Sequence, residues 1–155
     1  MKRRRILIGL GLLALVACAS ASAVIIPQQS IGGVKIGMSE TKVKAKLGEP
    51  LRVRSGSNDF GYWRTLVYKN VSVSFQTGSK ATSVRTTSKS ERTARGVGVG
   101  STLAEVRAGL SGETCKREFG IHHCWLGNWD AGRVITEFRL EKNRVSAVRI
   151  ARVID

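Results

Sequence analysis

The chain has few of the residue types on which most enzyme sites depend. Its 155 residues include two histidines, three cysteines and 11 acidic residues, and none of its serines lies in a G-x-S-x-G context. His122 and His123 are adjacent, and Asp130 and Glu137 follow them in the sequence. A nucleophile with its base, or a pair of acid–base groups, therefore has no recognisable motif. The sequence predicts a protein without catalytic residues or cofactors, and a small hydrolase around the two histidines is an alternative.

Long apolar runs are also missing, with one exception at the N-terminus. Met1–Arg5 is basic and Ile6–Ala17 is apolar, a run that is too short for a stable bilayer anchor and typical of an export signal. Ala21-Ser22-Ala23 fits an A-x-A cleavage site, which would release a soluble protein beginning at Val24. Leu15-Val16-Ala17-Cys18 instead fits a bacterial lipobox, which would leave Cys18 lipidated. Both alternatives predict an exported protein, with residues 1–23 as its export signal.

The small number of cysteines supports export. Cys18 is either removed or lipidated, so the remaining Cys115 and Cys124 form an even pair. Such a pair in an oxidising compartment predicts a disulfide. The alternative is a metal site, because His122 and His123 lie between these cysteines. Their spacing matches no standard zinc template, and neighbours on an extended segment point in opposite directions, so we predict no metal.

Acidic residues are scarce relative to basic ones. Residues 1–23 hold four of the 26 Lys and Arg residues and none of the 11 Asp and Glu residues, so residues 24–155 carry a formal net charge of +11. Such an excess favours anionic neighbours: acidic proteins, cell-wall polymers or anionic lipid headgroups. Nucleic acid is not expected as a partner in an extracytoplasmic compartment.

The chain contains an internal repeat at an offset of 63 residues. Gly33–Ser39 matches Gly96–Thr102, and further matches at the same offset follow. A register held over this distance indicates a duplicated structural unit. We therefore predict one domain, residues 24–155, made of repeats 31–88 and 96–155. The further matches are Val43/Val106, Leu47/Leu110, Tyr62/Trp125, Val71/Val134 and Phe75/Phe138, with Val84-Arg85 matching Val148-Arg149 after one inserted residue.

Each repeat has the pattern of a helix followed by strands. Ser39 is a predicted N-cap for a helix that ends at Gly48, and Thr102 with Glu105 forms a capping box for a second helix that ends at Gly112. Alternating apolar residues after each helix predict strands, for example at Val71. We predict an α+β fold: two tandem helix-plus-antiparallel-meander units in a two-layer domain, with helices on one sheet face and the other face open.

The first helix carries a family resemblance. Gly37-x-Ser39-x-x-x-Val43-x-x-x-Leu47-Gly48-x-Pro50 resembles the motif of the SmpA/OmlA (BamE-like) envelope lipoproteins. The tandem arrangement, with a short disulfide loop after a helix, is similar to that of β-lactamase inhibitory proteins. The second repeat departs from the motif, since Gly112 is not part of a Leu-Gly-x-Pro ending. The resemblance implies an exported, non-enzymatic protein that binds other proteins, and it names no partner.

Aromatic and arginine side chains are the candidate binding residues, because these residue types bury large areas in binding hot spots. We predict a scaffold or inhibitor that binds protein through the open sheet face; the alternative is a polyanion-binding envelope protein. Tyr62 and Trp125 could instead belong to the core, and Arg85 and Arg149 could simply be solvated. The candidate binding face comprises Tyr62, Trp63, Arg64, Tyr68, Arg85, Trp125, Trp129, Arg133 and Arg149.

Overall fold

The computed structural model describes residues 24–154. The predicted export signal, its cleavage sites and Cys18 lie outside these residues. A small sheet comes first, formed by β1 (Ile25–Ile26), β2 (Ser30–Ile31) and β3 (Val34–Lys35). The large sheet has eight strands: β4 (Arg52–Asn58), β5 (Gly61–Val67), β6 (Val71–Gln76), β7 (Ala81–Thr86), β8 (Thr114–Glu118), β9 (Ile121–Leu126), β10 (Val134–Glu141) and β11 (Arg144–Arg152). Helix α1 (Glu40–Leu47) precedes β4, and helix α2 (Leu103–Gly109) precedes β8.

The large sheet consists of two antiparallel meanders joined edge to edge. Its strand order is β4-β5-β6-β7-β11-β10-β9-β8. The meanders meet where β7 pairs with β11, and Arg85 lies directly opposite Arg149 in that pair. The last strand of each meander is therefore central, and the first strand of each forms an outer edge. The two halves of the chain contribute equally to the sheet.

The predicted two-layer α+β fold is wrong. The chain is mainly β, with one eight-stranded antiparallel sheet and one three-stranded sheet. Its two helices contain only eight and seven residues. The predicted strands do not include β1–β3, β4, β8 or β9. The edge strands β4 and β8 have few buried residues and therefore no apolar alternation. The division into repeats 31–88 and 96–155 stays a prediction.

The helix starts follow from the capping residues. The Ser39 hydroxyl accepts a hydrogen bond from the Lys42 amide, and the Thr102 hydroxyl accepts one from the Glu105 amide. The Glu105 carboxylate accepts the Thr102 amide at 2.6 Å, which completes the predicted capping box. Gly48 ends α1 as predicted, with a φ of 80°. Helix α2 ends at Leu110, before the predicted Gly112.

The core lies on one side of the large sheet. Val43 of α1 and Val106 of α2 are fully buried in it, together with Phe75 of β6 and Phe138 of β10. The small sheet adds Ile25, Ile31 and Val34 to the same cluster. We call this side of the large sheet the core face. Within residues 24–154, no helix is long and apolar enough to cross a membrane.

Candidate binding face

The opposite side of the large sheet, the open face, follows from the strand register. Phe75 and Phe138 belong to the core face, so their neighbours along each strand point to the other side. Cross-strand pairing then extends this assignment to all eight strands. By register the open face contains seven cationic residues and three carboxylates, which are Arg52, Arg54, Arg85, Lys116, Arg139, Arg144, Arg149, Glu118, Glu137 and Glu141.

An aromatic cluster lies at the β9 end of the open face. Trp125 is 8% exposed, but it is not part of the main core. Its ring centroid lies 4.9 Å from that of His123 and 6.0 Å from that of Trp129, which meets it edge-on. Lys116 lies 6.0 Å from the Trp125 ring centroid, within the range of a cation–π contact. We call His123, Trp125 and Trp129 the tryptophan cluster.

Trp129 reaches the sheet from the loop between β9 and β10. This loop, residues 127–133, is fastened to the end of β11 by paired backbone hydrogen bonds. Gly132 donates to the Val153 carbonyl at 2.9 Å, and Val153 donates to the Arg133 carbonyl at 2.8 Å. Trp129 is therefore held in place while 42% of its surface stays exposed. It can serve as a preformed aromatic anchor for a ligand.

The third tryptophan lies at the other end of the open face. Trp63 on β5 pairs with Gly56 on the edge strand β4. A Cβ atom at Gly56 would lie 2.9 Å from Cζ2 of Trp63, so the indole rests on bare backbone. Any side chain at Gly56 would have to displace this ring. The glycine therefore fixes how Trp63 lies on the sheet.

A charged network crosses the centre of the open face. The Nδ1 atom of His123 lies 2.7 Å from Oε1 of Glu137. Nε of Arg149 donates to Oε2 of Glu137 at 3.0 Å, and Nη2 lies 2.8 Å from the same oxygen in an ion pair. Burial of Glu137 acts to raise the pKa of its carboxyl group. The hydrogen bond from His123 and the Arg149 charge outweigh burial, so the pKa lies below its usual value of 4.5.

Two pockets adjoin Arg85. One, of about 330 Å³, is lined by Arg85, Ile121, Glu137, Arg139, Ala147 and Arg149, and we call it the arginine pocket. The other, of about 250 Å³, lies towards β4 and includes Arg54 and Lys69. Arg85 lines both. Cationic side chains therefore lie on both sides of Arg85 on the open face.

The predicted binding residues are divided between the two sides of the sheet. Trp63, Arg85, Trp125 and Arg149 belong to the open face by register, and Trp129 packs onto it. Trp125 is buried, as the core alternative predicted, but on the open side of the sheet. Arg85 and Arg149 share one face, as the sequence suggested.

The other four predicted binding residues lie elsewhere. Arg64 points to the core face, where it forms an ion pair with Glu40 of α1 at 3.3 Å. Tyr62 is also on the core side by register and is 56% exposed. Tyr68 packs against the main core after β5, and Arg133 lines a pocket in the loop before β10. Tyr68 also lines the pocket of about 250 Å³ together with Arg85, whereas Tyr62 and Arg64 lie on the opposite side of the sheet.

Sequence reasoning equated Tyr62 with Trp125, and this equivalence is wrong. Phe75 pairs with Arg64, whereas its counterpart Phe138 pairs with Cys124. The residue that matches Trp125 is therefore Thr65, three positions beyond Tyr62. The loop between β9 and β10 is longer than the loop between β5 and β6, which accounts for this shift of three positions. Trp129 lies in the longer loop.

Several residues of the open face were missed by sequence reasoning. Arg139 alternates with core-face residues on β10, and Lys116 does so on β8. The sequence predicts the β10 strand, so this alternation was a readable signal for Arg139. Arg54 had no such signal, because β4 was not predicted. In the sequence, Glu137 is one of the acids near the histidines. It alternates with buried core residues along β10, and this alternation indicates the open face.

The predicted disulfide is present between Cys115 and Cys124, which lie opposite each other on β8 and β9. The disulfide therefore removes both thiols from the metal-site alternative. His122 pairs with Leu140 on the core face and His123 with Arg139 on the open face, so the two imidazoles lie on opposite sides of β9. Among residues 24–154, no group of three or more His, Cys, Asp or Glu residues is arranged to hold a metal ion.

No protein-family model matches the chain, and no curated protein matches it. Among solved structures, the chain is similar to an extracellular protein containing an SCP domain from Bacillus anthracis strain Ames. The match has 15% sequence identity and a TM-score of 0.52, and it covers 76% of this chain. The chain spans 44% of that protein's length. At this identity the similarity concerns the fold alone.

Proposed function

We propose that this chain is an exported protein-binding module, a scaffold or an inhibitor, that acts through the open face. The observation that carries the proposal is the combination of a half-exposed Trp129, held over Trp125, with arginines on the same sheet surface. Tryptophan and arginine are the residues most enriched in binding hot spots. The function is binding without catalysis, and the partner is an unidentified envelope or extracellular protein.

Export is supported by the disulfide and by the signal-like N-terminus. The extracellular description of the Bacillus anthracis protein agrees with it. The motif in residues 37–50 supports a relationship to the SmpA/OmlA envelope lipoproteins. Cleavage before Val24 would give a secreted protein, whereas lipidation of Cys18 would anchor it to a membrane. The mass of the N-terminal peptide of the mature protein distinguishes these two forms.

A second candidate function is polyanion binding, favoured by the charge of the open face. Its strands present seven cationic residues and three carboxylates. An anionic cell-wall polymer or a layer of anionic headgroups could bind to such a surface without any aromatic contact. The two functions therefore differ in their dependence on Trp129.

Affinity capture with variants tests the proposed function. The mature protein is used as bait on culture supernatant and envelope extract from its own organism, with low-salt and high-salt washes. Trp129→Ala and Arg149→Ala are compared with Lys89→Ala, which changes an exposed residue outside the large sheet. We expect a discrete protein that survives the high-salt wash, with at least about tenfold less recovered by the two face variants.

Two outcomes would contradict the proposed function. Equal recovery by all three variants would show that the open face is not the binding surface. Recovery of anionic polymer alone, lost as salt rises and unaffected by Trp129→Ala, would favour the second candidate. Thermal unfolding of each variant serves as the control for correct folding.

A further inference from the structure

The arginine pocket is suited to an anionic ligand. We propose that it binds the carboxylate side chain of an Asp or Glu residue in an acidic segment of the partner protein. This inference rests on the proposed function, and it names the group that the partner presents. Three guanidinium groups (Arg85, Arg139 and Arg149) and one carboxylate (Glu137) line the pocket, so its local charge favours an additional anion.

The central arginine pair gives the first argument. Arg85 and Arg149 are direct cross-strand partners on the same face. Like charges in this arrangement repel each other and destabilise the sheet unless an anion lies between them. Glu137 compensates Arg149 through a hydrogen bond and an ion pair. Among residues 24–154, no carboxylate lies within ion-pair distance of Arg85.

The fixed orientation of Arg149 gives the second argument. Its Nε donates to Oε2 of Glu137, its Nη2 contacts the same oxygen, and the other oxygen of Glu137 is hydrogen-bonded to His123. His123 in turn packs against Trp125. The guanidinium plane is therefore set before a ligand arrives, which leaves Nη1 as a donor. A preset guanidinium loses less conformational entropy on binding than a free one.

The remaining walls fit an acidic side chain. Ala147 contributes only a methyl group between the arginines, which leaves room for a ligand, and Ile121 provides an apolar wall for methylene groups. Arg139 has one carboxylate nearby, Glu141 at 3.8 Å, and that residue is exposed to solvent. The proposed partner is a protein, and Asp and Glu supply the anionic side chains that an unmodified protein presents to a guanidinium group. We therefore assign the pocket to a carboxylate, and inorganic phosphate is the competing ligand in the test.

NMR titration of the mature protein tests the inference. The probe is N-acetyl-glutamate N-methylamide, and its control is the glutamine analogue of the same size. We expect saturable shifts of the Nε–H signals of Arg85 and Arg149 at millimolar probe concentration, and no such shifts with the glutamine analogue. Arg85→Gln should weaken binding by about fivefold or more. Arg117→Gln, which removes an exposed arginine from the core side of β8, should leave it unchanged.

Three outcomes would overturn the inference. The first is equal shifts with the glutamine analogue, and the second is shifts confined to arginines outside the pocket. The third is saturation by inorganic phosphate at a lower concentration than by the glutamate probe. None of these bears on whether Trp129→Ala abolishes capture of a partner, so the proposed function can survive the failure of this inference. Arg85 is exposed, so Arg85→Gln is expected to fold, and its unfolding temperature checks this.

Discussion

At the residue scale, Glu137 connects the two parts of the open face. Its carboxylate contacts His123 of the tryptophan cluster on one side and Arg149 of the arginine pocket on the other. Neither contact can be read from the sequence, because the partners lie 14 and 12 residues away and are brought close only by strand pairing. The residue is mostly buried, so its charge is stabilised by these partners more than by water.

The lowered pKa of Glu137 leads to a prediction about stability and pH. The folded-state pKa lies below the usual 4.5, so the stabilisation is present above that pH and is lost as pH falls through the folded value. Glu137→Gln should reduce the free energy of unfolding by about 1 kcal/mol at neutral pH, and the difference from the unchanged protein should shrink below pH 4.5. Urea unfolding at a series of pH values measures both effects. A difference that is constant with pH would contradict this account.

The residues of the candidate site were predictable only in part. Trp63, Arg85, Trp125 and Arg149 were found because aromatic and arginine residues in strands are good binding candidates. Tyr62 and Arg64 were included by the same argument, but register places both on the core side. A side chain's face depends on pairing, and a shift of one residue reverses it. Residue type alone therefore identifies candidates without separating the two faces.

At the scale of elements, the two helices differ in how they begin. Thr102 and Glu105 form a reciprocal capping box, whereas Ser39 accepts a single side-chain hydrogen bond at 3.4 Å. We expect Thr102→Ala to cost about 1 kcal/mol of stability, and Ser39→Ala to cost less because its bond is longer. Thermal or urea unfolding of the two variants compares them. A larger loss for Ser39→Ala would show that capping does not determine the ranking.

The disulfide links the two strands of the edge hairpin, β8 and β9. It closes a short loop, with nine residues of separation between Cys115 and Cys124. Replacing both cysteines with serine should lower the free energy of unfolding by about 2.5–3 kcal/mol through the entropy of the unfolded chain. We also expect weaker partner binding, because Trp125 directly follows Cys124 on β9. Unfolding by urea, with reduced unchanged protein as the matched control, measures the loss. Unchanged stability would mean that the hairpin needs no covalent link.

Strands with a clear apolar alternation were predictable, whereas the edge strands β4 and β8 and the interior strand β9 were not. β6 and β10 alternate buried and exposed residues, so their period of two could be read from the sequence. β4 has the sequence Arg-Val-Arg-Ser-Gly-Ser-Asn, and almost all of it is exposed on both sides. Such an edge strand has no apolar pattern, because pairing on one side alone holds it in the sheet. The predicted fold class is wrong because strands without an apolar pattern were not recognised.

At the scale of the whole molecule, one face of the large sheet packs against the core and the other carries the candidate binding residues. The core face is covered by the helices and the small sheet, which bury Val43, Val106 and Ile31. The open face carries tryptophans and arginines that are not part of the main core. Substitutions at exposed positions of the open face should therefore change binding with little effect on folding. A surface of this kind can diverge between relatives while the fold is kept.

The salt dependence of binding distinguishes the two candidate functions of the whole surface. If the cationic residues of the open face bind a polyanion, affinity should fall on the order of 10³-fold between about 50 mM and 200 mM salt, because counterions are released. Binding anchored by Trp129 and Trp125 should lose no more than about tenfold over the same range, since aromatic contacts are not screened. Isothermal titration of the captured partner at both salt concentrations measures the slope. Trp129→Ala should then weaken binding equally at both concentrations. A steep slope that is unaffected by Trp129→Ala would favour the polyanion function over the proposed one.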